Sequence, residues 1–383
     1  MLSIQDLGMG GSTMCRKVDV VEARRRRLLR ECDIDAFLVI HVDRLLATGV
    51  DRENLFYLSG FSGSGALLVT DKRCALLTDA RYYESACREV VDVEVIDKPL
   101  GEDYLDAAIA LVQERAPKRL GFSGRKTSYA VGKALHNRLP KQEVLALADP
   151  VEAVRVRKDA NEVAAIRRAI AVTEDCLARL VETVKPGDKE TELRRRFYQF
   201  VIERDAEFAF DPIIASGPNT AIAHHTSGDR KLQKGDLALF DIGVRVAHYV
   251  ADITRTFHLG AASKQASEMY KTVLEAQEAG IVSLGPGIPA HYAKDAMQSV
   301  FRGSSFSNFS RVSGHGLGLE VHEQPYLREM EGDEISAGTI LTIEPGIYIP
   351  GVGGIRIEDD VMITDEGYEV LSSYPKRRLT EIG

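Results

Sequence analysis

Residues 237–254 read LALFDIGVRVAHYVADIT and place two aspartates, Asp241 and Asp252, within apolar sequence. The two apolar runs are separated by Gly243, a pattern that predicts two antiparallel strands joined by a turn near residues 246–247. Pairing about that turn puts the two aspartates opposite each other, or nearly so. Like charges across a strand pair repel, and buried carboxylates are costly unless something neutralises them. The pattern therefore predicts a bound cation.

The chain contains a second copy of this arrangement. The sequence GTILTIEPG at 338–346 aligns without a gap with GDLALFDIG of the first hairpin, which matches Glu344 to Asp241. A glycine-rich turn follows, and the returning strand carries Glu358 in the role of Asp252. Two acids thus recur in two matching hairpins.

Histidines and helices repeat as well. A serine–glycine pair leads to His224 before the first hairpin, and to His315 and then His322 before the second. Each hairpin is also preceded by two segments with helical spacing of apolar residues. We interpret this as an internal pseudo-two-fold duplication, in which each half donates a carboxylate hairpin to one shared site. The expected domain is α+β, with helices outside a curved sheet.

The predicted site combines four carboxylates with one imidazole, and two more histidines lie nearby. Its members are Asp241, Asp252, His315, Glu344 and Glu358, with His224 and His322 beside them. This set suits two divalent cations held roughly 3–4 Å apart. Oxygen-rich ligation without cysteine favours Mn²⁺ or Co²⁺, with Zn²⁺ or Fe²⁺ as alternatives. Such a pair lowers the pKa of water to around neutrality, so hydrolysis is the expected reaction.

Taken singly, each of these residues has a simpler explanation. An aspartate in a hairpin is usually a turn residue, and a histidine beside glycines is usually solvated. The flanking Leu, Phe, Ile and Val residues of both hairpins are difficult to reconcile with solvated turns. The combination therefore favours a metal site.

Composition limits the other function classes. The 383 residues carry a formal net charge of −8, which argues against nucleic acid as the main partner. Five scattered cysteines without a CxxC pair indicate neither a disulfide framework nor a thiolate zinc site, and fit a reducing, cytoplasmic location. No apolar run approaches membrane-spanning length and no export signal is recognisable, so no membrane partner is expected.

The chain divides into two expected domains. Alternating strand and helix patterns before residue 150 favour an α/β domain, and a capping box at Asp159 and Glu162 opens the first helix of the second domain. We expect a flexible leader at 1–17, an α/β domain at 18–150, a linker at 151–158 and the α+β domain at 159–383. In the first domain the patterns predict strands at 36–42, 54–58, 66–70, 74–78 and 91–96, and helices at 20–30, 104–114 and 130–139.

The motifs resemble those of a known metallopeptidase family, which includes methionine aminopeptidase, aminopeptidase P and prolidase. The motifs that carry the resemblance are FDPIIASGPN at 210–219, DIG at 241–243, DITRT at 252–256, GHGLG at 314–318, TIEPG at 342–346 and RIEDD at 356–360. The resemblance implies the pita-bread fold, preceded by a creatinase/prolidase-type N-terminal domain. It covers nearly the whole chain after about residue 20, and the EPGIY and RIED sequences are most similar to the Xaa-Pro peptidases.

The resemblance also implies how the metal ligands are shared. Asp241 would chelate one metal, Asp252 and Glu358 would bridge both, and His315 and Glu344 would complete the other.

The remaining residues would act on the substrate. Glu344 would also take a proton from the attacking water and pass it towards the leaving amine. His224 and His322 would contact the scissile carbonyl and stabilise the tetrahedral intermediate, and Arg356 would orient the carboxylates.

The function that follows is a dinuclear metal-dependent exopeptidase that hydrolyses Xaa-Pro bonds in proline-containing peptides. Xaa-Pro dipeptidase is favoured over Xaa-Pro aminopeptidase. A metal-free hydrolase and a catalytically inactive peptide-binding module of the same fold are remoter alternatives, and a homodimer is the family expectation. Phe210, where some relatives have tyrosine, and Arg311, where one branch has an extra histidine, depart from the family pattern and bear on substrate preference.

Overall fold

A computed structural model describes residues 12–42, 51–90, 92–327 and 334–383. The chain forms two compact units, Met1–Val154 and Arg155–Gly383. The division lies within the segment 151–158 that was expected to be a linker, although most of that segment is helical. Of the expected leader, residues 1–11 lie outside the described residues, and the first helix begins at Ser12.

The first unit is an α/β structure. Its helices are α1 (Ser12–Cys32), α2 (Arg52–Ser59), α3 (Tyr83–Glu89), α4 (Tyr104–Arg115), α5 (Tyr129–Arg138) and α6 (Pro150–Arg155), the last of which ends one residue beyond the unit. Its strands are β1 (Ala36–His41), β2 (Gly65–Thr70), β3 (Ala75–Thr78), β4 (Glu94–Asp97), β5 (Arg119–Ser123) and β6 (Glu143–Leu147).

These strands form one mixed sheet in the order β4-β3-β2-β1-β5-β6. The pairs β1–β2 and β2–β3 are antiparallel, whereas β3–β4, β1–β5 and β5–β6 are parallel. Leu38, Leu68 and Leu120 lie on neighbouring strands and share one buried apolar cluster with Ala108 and Val112 of α4. The α/β class expected for this part of the chain is confirmed.

The strand predicted at 54–58 is wrong, because this segment belongs to helix α2. Leu55 and Leu58 are three residues apart and fully buried, which is helical spacing. Gly60 then adopts a left-handed conformation, with φ 78°, and its N–H bonds to Phe56 O at the end of the helix. The short run of apolar and aromatic residues does not by itself distinguish the two structures.

The edge strand β6 and its neighbour β5 were not predicted. The residues of β6 are all half-buried or exposed, so they lack the alternation of an apolar and a polar face. In β5 the apolar residues alternate with glycine and serine. Both strands follow predicted helices, which match α4 and α5 to within one residue at either end.

The second unit contains two pairs of helices and several short sheets. Its α-helices are α7 (Ala160–Thr183), α8 (Glu190–Ile202), α9 (Lys264–Val282) and α10 (His291–Arg302). The strands of its first half are β7 (Glu207–Phe208), β8 (Ile213–Ser216), β9 (Leu237–Ile242), β10 (Val244–Val246), β11 (Tyr249–Val250) and β12 (Ile253–Leu259). The strands of its second half are β13 (Ser310–Arg311), β14 (His315–Gly316), β15 (Glu323–Tyr326), β16 (Ile340–Ile343), β17 (Gly346–Ile349), β18 (Gly353–Arg356), β19 (Asp359–Ile363), β20 (Tyr368–Val370) and β21 (Thr380–Ile382).

The two halves of this unit repeat one plan, so the predicted duplication is confirmed. In the first half α7 and α8 precede the antiparallel pairs β8–β9 and β9–β12, and β10 and β11 form the hairpin tip. In the second half α9 and α10 precede β14–β16 and β16–β19, with β17 and β18 at the tip.

Within the described ranges, no helix combines the length and apolar character needed to cross a membrane.

The first hairpin turns one residue later than predicted. Ala247 and His248 occupy the turn, and both have positive φ, 49° and 73°, as a two-residue type I′ turn requires. Neither residue is the glycine or asparagine that usually announces such a turn. As a result Asp241 lies opposite Thr254, and Asp252 is its diagonal neighbour rather than its direct partner.

The hairpin also depends on the absence of a side chain at Gly243. A Cβ atom there would lie 2.1 Å from Ala251 O and 2.7 Å from the Phe210 ring, so Gly243→Ala must displace backbone between the two aspartates. We expect a loss of about 1–3 kcal/mol of unfolding free energy, measured by urea denaturation. Gly367→Ala, where a Cβ meets nothing within 4 Å, is the control. Equal stability of the two variants would contradict this explanation.

Candidate metal centre

A cavity of ≈ 600 Å³ in the second unit brings together all the residues that the sequence predicted for the site. The predicted residues that line it are His224, Asp241, Asp252, His315, His322, Glu344, Arg356 and Glu358. They come from both halves of the duplicated unit. Far-separated parts of the chain thus converge on one place.

The acids are positioned where paired strands pass into the hairpin tips. Asp241 is within β9 and Asp252 immediately precedes β12, whereas Glu344 immediately follows β16 and Glu358 immediately precedes β19. His315 is the first residue of β14. Because these strands are almost entirely buried, the acids are held at fixed positions beneath the cavity.

The donor atoms are close enough to share a cation. One donor atom each from Asp252, His315 and Glu358 lies within 4.8 Å of the other two. His315 Nε2 is 3.8 Å from Asp252 Oδ2 and 3.3 Å from Glu344 Oε1. Metal–ligand bonds of about 2.0–2.2 Å place the donors of one ion at comparable separations.

Two carboxylate oxygens at the site have no hydrogen-bond partner among the described residues. These atoms are Asp241 Oδ1 and Asp252 Oδ1, and both are fully buried. A buried polar atom without a partner is costly, whereas an oxygen donor of this kind is the ligand that hard divalent cations take. The residues present therefore fit a metal centre.

Arg356 connects the acids to one another. Its guanidinium pairs with Asp241, donates to Tyr348 OH at 2.8 Å and donates through Nε to Thr254 Oγ1 at 3.1 Å. The Thr254 hydroxyl in turn donates to Glu358 Oε2 at 2.6 Å. Thr254 and Tyr348, which sequence reasoning did not assign to the site, thus help to fix the orientation of two acids.

The electrostatics of the cluster also favour a cation. Burial, followed by repulsion from neighbouring carboxylates, raises the pKa values of Asp252 and Glu358 well above their usual range. Burial also raises the pKa of Asp241, although Arg356 opposes the shift. At Glu344 the effect of burial is outweighed by the hydrogen bond and charge of His315, which lower the pKa of that carboxyl. The basic side chains of the protein therefore do not offset the repulsion between the carboxylates of the cluster.

The two remaining histidines lie on the open side of the cavity. His322 packs edge-to-face against His315, with 4.3 Å between ring centroids, and both His224 and His322 are exposed. Both histidines line the cavity, one from each half of the duplicated unit. Neither belongs to the buried group formed by Asp252, His315 and Glu358. This position suits contacts with a ligand that enters from solvent.

A buried carboxylate anchors the loop that carries His224. Glu190 is fully buried at the start of α8. It accepts hydrogen bonds at 2.7–3.0 Å from Ser216 N and Oγ, Asn219 Nδ2, His225 Nε2 and Gly228 N. Burial opposes ionisation, but these donors outweigh it and lower the pKa of Glu190. No local sequence pattern indicates this role, because Glu190 is far from the loop along the chain.

A second buried carboxylate anchors the loop that carries His322. Glu323 accepts the backbone N–H groups of Leu319 and Glu320 at 2.8 and 3.0 Å, pairs with Arg155, and lies 3.2 Å from Lys158 Nζ. Burial is the largest influence on its pKa, but the two cations outweigh it and hold the pKa at about 2. Each of the two loops whose histidine lines the cavity is thus held by a buried glutamate.

Comparison with known proteins agrees with this arrangement. Residues 164–365 match the model of metallopeptidase family M24, and residues 23–157 match the creatinase/prolidase N-terminal domain. The chain belongs to metallopeptidase family M24 and is a peptidase. The predicted family, the pita-bread fold and the creatinase/prolidase-type N-terminal domain are confirmed.

Particular relatives are similar over almost their whole length. The chain is 30% identical to the Xaa-Pro dipeptidase of Pyrococcus horikoshii, over 93% of this chain and 98% of the relative. It is similar to the structure of an Xaa-Pro dipeptidase from Bacillus anthracis, with TM-score 0.86, 29% identity, and coverage of 94% and 99%. It is also similar to the structure of an X-Pro aminopeptidase from Thermotoga maritima, with TM-score 0.84, 30% identity, and coverage of 91% and 98%.

The Glu323 pair predicts a specific pH dependence of stability. Since the folded pKa of Glu323, about 2, is below the usual 4.5, its contribution is fully present above pH 4.5 and is lost as the pH falls towards 2. Glu323→Gln should cost roughly 3–5 kcal/mol at neutral pH, with the difference from the wild type shrinking through that window. Urea denaturation of the metal-free protein at a series of pH values measures the difference.

Glu366→Gln, at an exposed position, is the control for this experiment. It should follow the wild-type pH profile. If Glu323→Gln does the same, the ion pair does not stabilise the loop.

Proposed function

We propose that this protein is a dinuclear metal-dependent exopeptidase that hydrolyses Xaa-Pro peptide bonds, with Xaa-Pro dipeptides as favoured substrates. The observation that carries the proposal is the convergence of three buried carboxylates, the half-buried Glu344 and His315 on one cavity, with two carboxylate oxygens left without partners among the described residues. The similarity to Xaa-Pro dipeptidases supports the choice of substrate.

In this proposal the metal ligands are Asp241, Asp252, His315, Glu344 and Glu358. Asp252 and Glu358 would be shared between the two ions, and the preponderance of oxygen donors would favour Mn²⁺ or Co²⁺. When bound by these residues, divalent cations would supply Lewis acidity, which makes water nucleophilic near neutral pH.

Glu344 moves the proton in this mechanism. Its carboxylate takes a proton from the attacking water and passes it to the prolyl nitrogen as the C–N bond breaks. Burial opposes ionisation of Glu344, but the hydrogen bond and charge of His315 outweigh it and lower the pKa, so the carboxylate is ionised and has a free acceptor site for the proton. The oxygen of the water is retained by the new carboxyl group.

The exposed histidines and Arg356 complete the mechanism. His224 and His322 donate hydrogen bonds to the scissile carbonyl as negative charge develops on its oxygen, and loss of one such donor typically costs ~10²–10³-fold in rate. Arg356 acts on Asp241 directly and on Glu358 through Thr254, so it orients ligands rather than touching the substrate.

Xaa-Pro aminopeptidase activity is the second candidate, because the chain is about as similar to an X-Pro aminopeptidase structure as to a dipeptidase structure. An inactive peptide-binding module would not need a complete ligand set, and all five proposed ligands are present. A homodimer and a cytoplasmic location are parts of the proposal that rest on the family resemblance and on cysteine usage.

Substitution of two proposed ligands tests the function. Asp252→Asn and Glu344→Gln should each abolish Ala-Pro hydrolysis, because the first removes a bridging charge and the second removes the proton carrier. Activity is measured with Mn²⁺, Co²⁺ or Zn²⁺ supplied in turn. Glu366→Gln, which changes an exposed carboxylate outside the cavity, should retain wild-type activity.

The opposite results are equally clear. Full activity of Asp252→Asn, or of the wild type in chelator-treated, metal-free buffer, would refute the assignment. In another contrary result, the wild type hydrolyses no substrate with any of these metals while it binds proline-containing peptides tightly. That result would favour the inactive peptide-binding module.

A further inference from the structure

We propose that Arg311 binds the C-terminal carboxylate of the substrate and thereby selects Xaa-Pro dipeptides over longer peptides. The inference rests on the proposed function and narrows it from a type of bond to a class of peptide. In the sequence, Arg311 is only a departure from the family pattern. In the structure it lines the cavity that holds the acids.

Strand alternation directs Arg311 towards the cavity. Side chains two residues apart share one face of an extended chain, and Arg311, Ser313 and His315 all line the cavity. Val312, between them, packs instead against the apolar core of the unit. Arg311 therefore shares a face with the proposed ligand His315.

The pairing of this segment places Arg311 close to the reacting groups. Arg311 lies opposite Gly346 in the β13–β17 pair, and Glu344 donates its backbone N–H to Ser313 O at 3.2 Å, which continues the same register. Two residues along a strand span roughly 6.6 Å, a distance that an extended arginine side chain covers. The guanidinium of Arg311 can thus reach the neighbourhood of Glu344.

The substrate's geometry matches this reach. In an Xaa-Pro dipeptide the terminal carboxylate belongs to the residue that follows the scissile bond, at most ~3.6 Å further along the chain. In a longer peptide the same position is a neutral amide. A cation at Arg311 therefore distinguishes the two kinds of substrate at the first residue after the cut.

Two arginines line the cavity, and Arg311 is the one whose guanidinium can still bind a carboxylate. Arg356 is buried and already engaged by Asp241, Tyr348 and Thr254. Arg311 is exposed, and within the described part of the chain its contact is one hydrogen bond from Nη1 to Ser310 O at 2.7 Å, with no carboxylate partner. Its other N–H donors can form a bidentate pair with a carboxylate.

Arg311 also borders a basic region outside the metal cavity. A second cavity of ≈ 360 Å³ shares Arg311 with the first and is also lined by Lys294 and Arg302, with no Asp or Glu in its described lining. Their charges reinforce a positive potential around Arg311, in contrast to the acid-rich floor of the metal cavity. A negatively charged terminus is attracted to this end of the site.

A pair of substrates that differ only in the terminal charge tests the proposal. Arg311→Gln should raise KM for Ala-Pro roughly 10- to 100-fold, as expected for the loss of charge-assisted hydrogen bonds, with little change in kcat. The same substitution should leave KM for Ala-Pro amide unchanged. Arg311→Lys should recover part of the loss for Ala-Pro, because it keeps the charge without the bidentate geometry.

Arg195→Gln is the matched control, since Arg195 is exposed in the same unit and lines neither cavity. It should change neither substrate's kinetics. An equal effect of Arg311→Gln on Ala-Pro and on its amide, or no effect on either, would overturn the proposal.

Direct binding separates this proposal from the proposed function. Isothermal titration of Ala-Pro and of its amide into Glu344→Gln protein, with and without Arg311→Gln, requires no turnover. The dipeptide should bind more tightly than the amide only when Arg311 is present. If the wild type hydrolyses neither substrate, the proposed function fails, while a carboxylate preference that is independent of Arg311 refutes the present inference alone.

Discussion

The mutual repulsion of buried carboxylates is the constraint on which this structure depends. Asp252 and Glu358 are almost completely removed from water, and burial together with neighbouring carboxylates raises the free energy of ionising both. No sequence would retain such a cluster for stability alone, because apolar residues of similar size would pack there at lower cost. The hairpins and the hydrogen bonds of Thr254 and Arg356 hold these acids close together, a position that a bound cation makes favourable.

The duplication provides the geometry that this constraint requires. Each half contributes a hairpin, and the returning strands of the two hairpins meet: Glu358 N donates to Thr254 O at 3.1 Å, and Arg356 N donates to Thr256 Oγ1 at 3.2 Å. These bonds cross from one half to the other directly beside the acids. The two halves therefore determine each other's position at the point where the metal ions are proposed to lie.

Much of the site could be predicted from sequence because its signals are local and repeated. The sequence of glycine, apolar strand and acid occurs twice with the same spacing, at Gly235 to Asp241 and at Gly338 to Glu344, and this identifies the two acids as equivalent positions of the duplication. The turn at Ala247 and His248 was misplaced by one residue because neither residue is typical of its conformation. Helix α2 was mistaken for a strand because a short apolar run fits either structure, and tertiary packing decided between them.

Roles that depend on distant parts of the chain could not be predicted in the same way. Glu190 holds the His224 loop through hydrogen bonds from residues 26–38 positions further along the sequence, and no periodicity encodes such contacts. Arg311 was visible as an unusual residue, but its direction depends on the pairing of β13 with β17. Local pattern thus identified the acids, whereas the residues that hold them in place, and the direction in which Arg311 points, emerge only from the folded chain.

Anomalous X-ray diffraction from crystals grown with Mn²⁺ tests the central claim most directly. The account predicts two anomalous peaks about 3–4 Å apart in the cavity, with Asp252 and Glu358 contacting both ions and His315 contacting one. Peaks confined to the protein surface, or acids that remain paired only with protein groups in Mn²⁺-loaded crystals, would contradict it.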